Sequence, residues 1–514
     1  MSRGGIFSLI QRDTRFDKIF TASESLKIRL LEIISIRKEN KERYAKLYPN
    51  RENLWKNINP TYADVEKSHL IHVRSYYKPY VAIGTEYLKT KPFGYGSSSI
   101  SNKAGNIEFR IPAYGHFTSD MLVHIKLKAY GNENLTDEYR YCAYPGLRIF
   151  QKVDYLSGQV AIDDYNTDDA VFYTKHRVPE NHKIGWDKCH GQQIIKKLSY
   201  EAAGNKTGYM QYSDGPQTWK NQQPEIDLWI PLQFSTIESA ASAIPNALIG
   251  NSQRTILIKL ALLNQIIKGR DIQKNDITLT SNLSVEFTLY TDCLWVNPEI
   301  YDIFASRIGY TLIRIHRRQQ NSLIKTHHSI LLDQLRFPAE FIYLGFRDIQ
   351  NKNDFDNWCL MGRAPTADLI NEVIAVPILR WNPILLIYQL IVSVTHRIDD
   401  LTPIIDQLGV TAHGISIYPM LPISFYNSYI PTRYMNHTLT HSSIDKSSLM
   451  ITFCLYPGKH NPSGYYNLSS NRELYIDYES TSIGPDNPAE FIASMQALNF
   501  LMRKGDKLHL RYSV

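Results

Sequence analysis

Apolar and polar residues alternate from Val123 to Ala129, with Val123, Ile125, Leu127 and Ala129 on one side and His124, Lys126 and Lys128 on the other. A period of two belongs to a strand with one face in a core and one in water. The same alternation recurs in Ile107–Ile111, in Val285–Leu289 and in Leu508–Val514. Strands are therefore expected from about Ser68 to the last residue, broken by Pro- and Gly-bearing turns such as Tyr144-Pro145-Gly146 and Tyr456-Pro457-Gly458.

Helical periodicity is sparse. Thr21 to Glu24 has the form of a capping box, and Leu26, Leu30, Ile33 and Ile34 follow at helical spacing. That amphipathic helix either packs on its own domain or serves as an arm toward a neighbour or a membrane surface. Shorter helical patterns cover Pro298–Ser306 and Pro488–Met502. A parallel α/β sheet needs a helix between successive strands, so the pattern predicts an all-β chain of antiparallel sandwiches. The helix at Pro298 falls near the midpoint and would join two of them. No internal repeat aligns the halves by sequence, so duplication is inferred from architecture alone.

At 514 residues the chain can bury two substantial cores. Its 34 Tyr, 24 Pro and 26 Gly suit a folded, turn-rich β protein. The net charge of +7 is spread along the length, which predicts a mildly basic surface and no specific nucleic-acid footprint. Cys142, Cys189, Cys293, Cys359 and Cys454 are odd in number and form no Cys-x-x-Cys pair, which disfavours a disulfide framework or a zinc ribbon and points to a reducing compartment. Asn134, Asn205, Asn282, Asn436 and Asn467 head glycosylation triplets, but no secretory signal is recognisable before them, and Ser2 does not fit the myristoylation pattern. The most apolar stretch, Val373–Val394, carries Pro377, Arg380, Asn382, Pro383 and Gln389 and is expected to form strands and turns instead of a membrane helix.

Catalytic motifs are not found: there is no Walker loop, dinucleotide fingerprint, nucleophile elbow or His-Glu-x-x-His helix. His182 with Cys189 and His190, and the pair His327–His328, are zinc-type ligands without four-ligand spacing. Asp163, Asp164, Asp168 and Asp169 could hold a hard cation, yet the run lacks the EF-hand glycine and final glutamate, and a solvated loop is the expected reading. Arg314, His316, Arg317 and Arg318 are expected to form a polar strand face. The residues point to no enzyme, no cofactor and no metal.

Several segments together resemble the major capsid proteins of nucleo-cytoplasmic large DNA viruses, the African swine fever virus (asfarvirus-like) group most of all. They include Gly4–Ile10, His69–His72, Ile111–Gly115, Leu228–Ile230, Ile256–Ala261, Leu312–His316, Val410–Gly414, Met450–Phe453, Pro462–Gly464 with Asn467, Asn499–Leu501 and Leu510–Ser513, all in the family's order. The resemblance implies a double jelly-roll, two tandem β-sandwiches standing upright in a pseudo-hexagonal homotrimer that tiles an icosahedral capsid. It also implies neighbouring capsomers and minor capsid proteins as partners, an N-terminal base facing the inner viral membrane, a virus-encoded folding chaperone, and assembly in the cytoplasmic viral factory into the virion. By the resemblance the chain is shorter than the swine fever members in loops around Asn132–Glu138 and Tyr165–Thr218, which predicts a lower outer crown.

On this reading residues 1–67 form the base segment, 68–296 the first jelly-roll and 297–514 the second, entered through the linker helix. Trp229, Trp295, Tyr429 and Tyr434 are the candidate trimer contacts, because aromatic anchors dominate obligate interfaces. Pro462, Gly464 and Asn467 are expected to build an architectural turn. Two other readings stay open: a poxvirus-like scaffold shaping an immature viral membrane, and a carbohydrate-binding β-sandwich.

Overall fold

A computed structural model describes residues 24–49, 83–94, 99–132, 136–179, 182–202, 205–212, 217–249, 252–363, 375–382, 387–394, 403–435, 447–468, 473–504 and 507–512. The capping-box residues Thr21 to Ser23 and the segment His69–His72 lie outside them. Contacts divide the chain into two compact units, Met1–Glu86 with Leu294–Ser306, and Tyr87–Cys293 with Arg307–Val514. The first contains helix α1 (Glu24–Leu47). The second contains almost all of the β-structure.

The first sandwich is made of β1 (Ile83–Thr90), β2 (Asn106–Ile111), β3 (Phe117–Leu127), β4 (Phe150–Ser157), β5 (Val160–Asn166), β6 (Ile226–Pro231), β7 (Arg254–Leu260) and β8 (Leu283–Val296). One sheet has the order β1-β8-β3-β6 and the other β2-β7-β4-β5. Helices α2 (Thr167–His176) and α3 (Lys183–Cys189) follow β5, and α4 (Pro298–Arg307) follows β8. The second sandwich is made of β9 (Tyr310–Leu323), β10 (His327–Leu331), β11 (Pro338–Asp348), β12 (Gln407–Ala412), β13 (Ile415–Pro422), β14 (Ser448–Thr452), β15 (Leu474–Glu479) and β16 (Ala489–Lys504). Its sheets run β9-β16-β11-β14 and β10-β15-β12-β13. Adding eight to each strand number of the first sandwich reproduces the second. Each is a jelly-roll, and the duplication that sequence comparison of the halves did not reveal is plain in the topology.

Local physics accounts for the strands. In β3 the burial alternates as the residue pattern predicts, with Met121, Val123, Ile125 and Leu127 in the core. The tight hairpin between β12 and β13 turns on His413 and Gly414, both at positive φ (50° and 74°), the two-residue turn whose twist matches that of the strands. The apolar stretch near Val373 forms a paired hairpin, Ala375–Asn382 with Ile387–Val394.

The helix expected at Pro488–Met502 is instead β16, paired continuously with β9 from Tyr310↔Met502 to Leu323↔Ala489. Residues Ala489 to Asn499 are buried on both faces of this strand. A strand covered on both sides loses its period-two signature, and its apolar run mimics a helix. β11 is likewise buried along its whole length. A single sandwich buries only one face of each sheet, so something must cover the outer face of β16 and β11.

Candidate assembly interface

The cover is the end of β5 and helix α2 of the first sandwich. Asn166 and Asp169 form a reciprocal capping box that starts α2 and fixes the acidic residues before and within its first turn. Asp163 meets His316 of β9, with 2.8 Å between Oδ2 and Nδ1, and also accepts the His316 backbone N–H at 2.7 Å. Arg318 bridges Asp164 and Asp169 at 2.7 and 3.3 Å. Arg347 of β11 pairs with Asp168 at 2.7 Å and with Glu490 of β16 at 2.6 Å. Deeper in, Arg314 holds Glu340 at 2.5 Å and lies 3.8 Å from Glu238, which also pairs with Arg177.

Apolar contacts close the same seam. Phe172 lies against Tyr343 with ring centroids 5.9 Å apart, and a Cβ on Gly345 would come within 2.8 Å of the Phe172 ring. His176 stacks on Tyr343 at 4.8 Å and shares a 2.9 Å hydrogen bond with Ser448 of β14. Trp358 donates its indole N–H to the Ala143 carbonyl at 2.9 Å. The solvated-loop reading of Asp163–Asp169 is thus corrected. Asp163, Asp164 and Asp169 with His316 and Arg318 form one interdomain joint, and Asp168 extends it to Arg347.

Burial works against charge on both members of the Asp163–His316 pair, pushing the carboxyl up and the imidazolium down. At 2.8 Å the Asp163 charge prevails and His316 is held above its ordinary range. The backbone N–H that also feeds Asp163 favours the charged carboxylate. A folded-state pKa raised above about 6.5 contributes stability that is complete below that value and lost as pH rises through the folded pKa. The melting temperature is therefore expected to fall as pH is raised from about 6 to about 9, and His316→Gln, which keeps a donor but does not titrate, should flatten the fall. Calorimetry across that range checks it; an equal slope in the variant would exclude His316 as its source.

The sequence-nominated contacts are distributed over separate elements. Trp229 lies in the middle of β6 with 42% of its surface exposed, stacked on His124 at 4.1 Å and 5.7 Å from Tyr290. It borders an open groove of about 520 Å³ whose other walls include Leu122, Trp186, Cys189 and Pro231. Tyr429, 55% exposed, ends a π-helical turn (Phe425–Tyr429) and packs on Phe425 at 5.3 Å. Tyr434, half-buried, ends α5 (Ile430–Tyr434) with the Arg433 guanidinium 5.9 Å above its ring. Trp295 is half-buried near the end of β8 and belongs to the other unit. Among the described residues no ring contact joins Trp229 to Tyr429 or Tyr434. Gly464 has φ of 139°, the Ser463 hydroxyl accepts the Tyr456 N–H at 2.8 Å, and Asn467 pairs with Pro338 beside β11.

The metal-type residues stand at α3 and on β10. His190 is buried, hydrogen-bonded through Nδ1 to the Trp186 carbonyl at 2.8 Å, and burial pushes it down to about 4. His327 and His328 sit exposed on β10. Among the described residues no three His, Cys, Asp or Glu side chains cluster to hold a metal.

No protein-family model matches the chain. The hexon protein p72 of African swine fever virus (isolate Tick/Malawi/Lil 20-1/1983) is 28% identical over 680 aligned residues, with both chains covered in full. Among solved structures, the Faustovirus major capsid protein superposes with a TM-score of 0.66 at 24% identity, covering 93% of this chain and 98% of that one. A quasi-atomic model of the PBCV-1 virus capsid superposes with a TM-score of 0.58 at 14% identity, covering 86% of this chain and 100% of that one. These structural likenesses establish the double jelly-roll fold.

Proposed function

We infer that this chain is an asfarvirus-like major capsid protein, the shell-forming structural protein of a large DNA virus and not an enzyme. The observation that carries the reading is end-to-end similarity to a swine fever capsid protein, covering both chains in full, in a molecule built as two jelly-rolls of matching strand order. The chain works as a tile: its chemistry is that of surfaces and not of a reaction centre.

The duplication supports a homotrimer. One chain supplies two similar sandwiches already joined side by side, and three chains arranged head to tail close a ring of six. That ring is the pseudo-hexagonal capsomer of an icosahedral shell. We assign residues 1–67 to the base, 68–296 and 297–514 to the two jelly-rolls, and the base to contact with the inner viral membrane. Neighbouring capsomers and minor capsid proteins are the remaining partners, and the virion assembled in the host cytoplasm is the location.

Folding help is part of the proposal. β1 sits beside β8, and β9 pairs with β16, so edge strands wait for partners made far later in the chain. Such non-local pairing is slow and leaves strand edges exposed to aggregation, which a virus-encoded chaperone would relieve.

Light scattering on the purified, untagged chain tests the trimer. The expected result is a compact species of three chains that persists on dilution, as an obligate interface above roughly 2,000 Å² should. A chain that stays monomeric at every concentration reached would refute it.

A further inference from the structure

The interdomain seam contains a template for the contact between subunits. In it, the strand-and-helix edge of one jelly-roll (β5 and α2) covers the outer face of the β9-β16-β11-β14 sheet of the next. The strand equivalent to β5 is β13, and the helical segment that follows it is Phe425–Tyr434. The sheet equivalent to β9-β16-β11-β14 is β1-β8-β3-β6. In a head-to-tail ring, the unused edge of one subunit's second jelly-roll faces the unused sheet of the next subunit's first.

Both surfaces have the required character. β13 exposes Ile415 and Ile417 (71% and 37%), and the segment after it exposes Tyr429 and Arg433. The sheet exposes Trp229 and, on β1, Tyr87 (42% and 56%). β3 and β11 each have 11 residues, and the segments Thr167–His176 and Phe425–Tyr434 are also equal in length. Aligned at their first residues, and with the pairings His124↔Trp229 and Gly345↔Ser448, Trp229 stands where Ser448 does and Tyr434 where His176 does. The His176–Ser448 pair is in contact at 2.9 Å. Arg433 stands at the place of Lys175, a cation buried in the seam and bonded to the Cys359 carbonyl at 2.7 Å.

Charge complements the alignment. The Lys128 N–H bonds the Ser284 carbonyl, and that antiparallel register, followed along β3 and β8, brings Asp120 opposite Asp292. Each has a buried carboxylate oxygen without a hydrogen-bond donor. Burial raises both carboxyls, and Asp120 raises Asp292 further. Like charges facing each other across a sheet destabilise it, and a buried unpaired carboxylate is costly until a cation reaches it.

We propose that the outer face of the β1-β8-β3-β6 sheet receives β13 and the Phe425–Tyr434 segment of a second copy of this chain, with Tyr434 against Trp229 and Arg433 supplying the cation for Asp120 and Asp292. The proposal rests on the trimer reading and deepens it by naming the two faces.

Cross-linking tests it. In a Cys189→Ser background, chosen because Cys189 lines the groove beside Trp229, a chain carrying Trp229→Cys and Tyr434→Cys is treated with a short bis-maleimide. The expected product is a covalent trimer on a denaturing gel, with either single variant remaining a monomer and the two mixed together giving a covalent pair. Independently, Arg433→Glu should raise the concentration for half-assembly by about thirtyfold or more, and Asp120→Lys/Asp292→Lys in the same chain should restore it. A chain that trimerises but, carrying both cysteines, does not cross-link, and whose assembly does not respond to Arg433→Glu, overturns the face assignment and leaves the trimer intact. A wild-type chain that never trimerises overturns the trimer reading and this assignment with it.

Discussion

Replacing Arg314 with methionine is expected to cost about 3–5 kcal/mol of stability. Arg314 is 3% exposed, and its guanidinium serves Glu340, which is fully buried, and Glu238, which is 4% exposed. Methionine keeps much of the volume but removes the positive charge from between them. Burial already raises the Glu340 carboxyl against the pull of Arg314, so without the arginine that group must bind a proton or stay buried and charged. The change is read from denaturant unfolding. Adding Glu340→Gln should recover part of the loss, because the double variant no longer buries that carboxylate. A single variant within about 1 kcal/mol of wild type, a surface-pair effect, would mean that the buried Arg314–Glu340 pair contributes little.

Phe172→Ala should cost about as much, about 3–5 kcal/mol, through the cavity left under a fully buried ring. Its particular consequence lies in how the chain unfolds. Phe172 projects from the first jelly-roll onto Tyr343 and the bare backbone of Gly345 in the second. Losing it should weaken the coupling between two sandwiches that each have a core, so a single calorimetric transition in wild type should broaden or split in the variant. A transition that shifts down while staying equally sharp would show that the sandwiches unfold as one block regardless of the seam.

The two substitutions also bear on assembly. The seam sets the orientation of one jelly-roll against the other, and on the proposed trimer reading a ring of six closes only at one such angle. Variants that loosen the seam should therefore assemble worse than their stability alone predicts.

Much of the fold was legible in the sequence. Val123–Leu127 read as a half-buried strand because one face of β3 meets the core and the other does not, while Ala129, expected on the same apolar face, lies past the strand's end and is exposed. Pro298 declared a helix between two strand-rich halves, and α4 is there. Ile107–Ile111 and Val285–Leu289 fell on β2 and β8 for the same period-two reason. Composition ruled out little, and the ordered set of short segments carried the functional reading.

The seam was not legible, and the reason is physical. Asp163 and His316 lie 153 positions apart, and each run looks like ordinary solvated polarity beside its own neighbours. Only the pairing of an acidic run in one half with a basic run in the other hinted at a joint. The run of β16 carries a helical pattern because its second buried face is created by α2, an element from the other sandwich. Periodicity reports which faces of a strand meet water, and that is a property of the packed molecule. By itself the sequence indicated most of the strand content, the two-part plan and the resemblance to capsid proteins. Tertiary structure alone decided that the second sheet is covered by the first sandwich while its counterpart keeps Trp229 exposed and Asp120 facing Asp292, because partners so distant in the chain are selected by packing and not by local pattern.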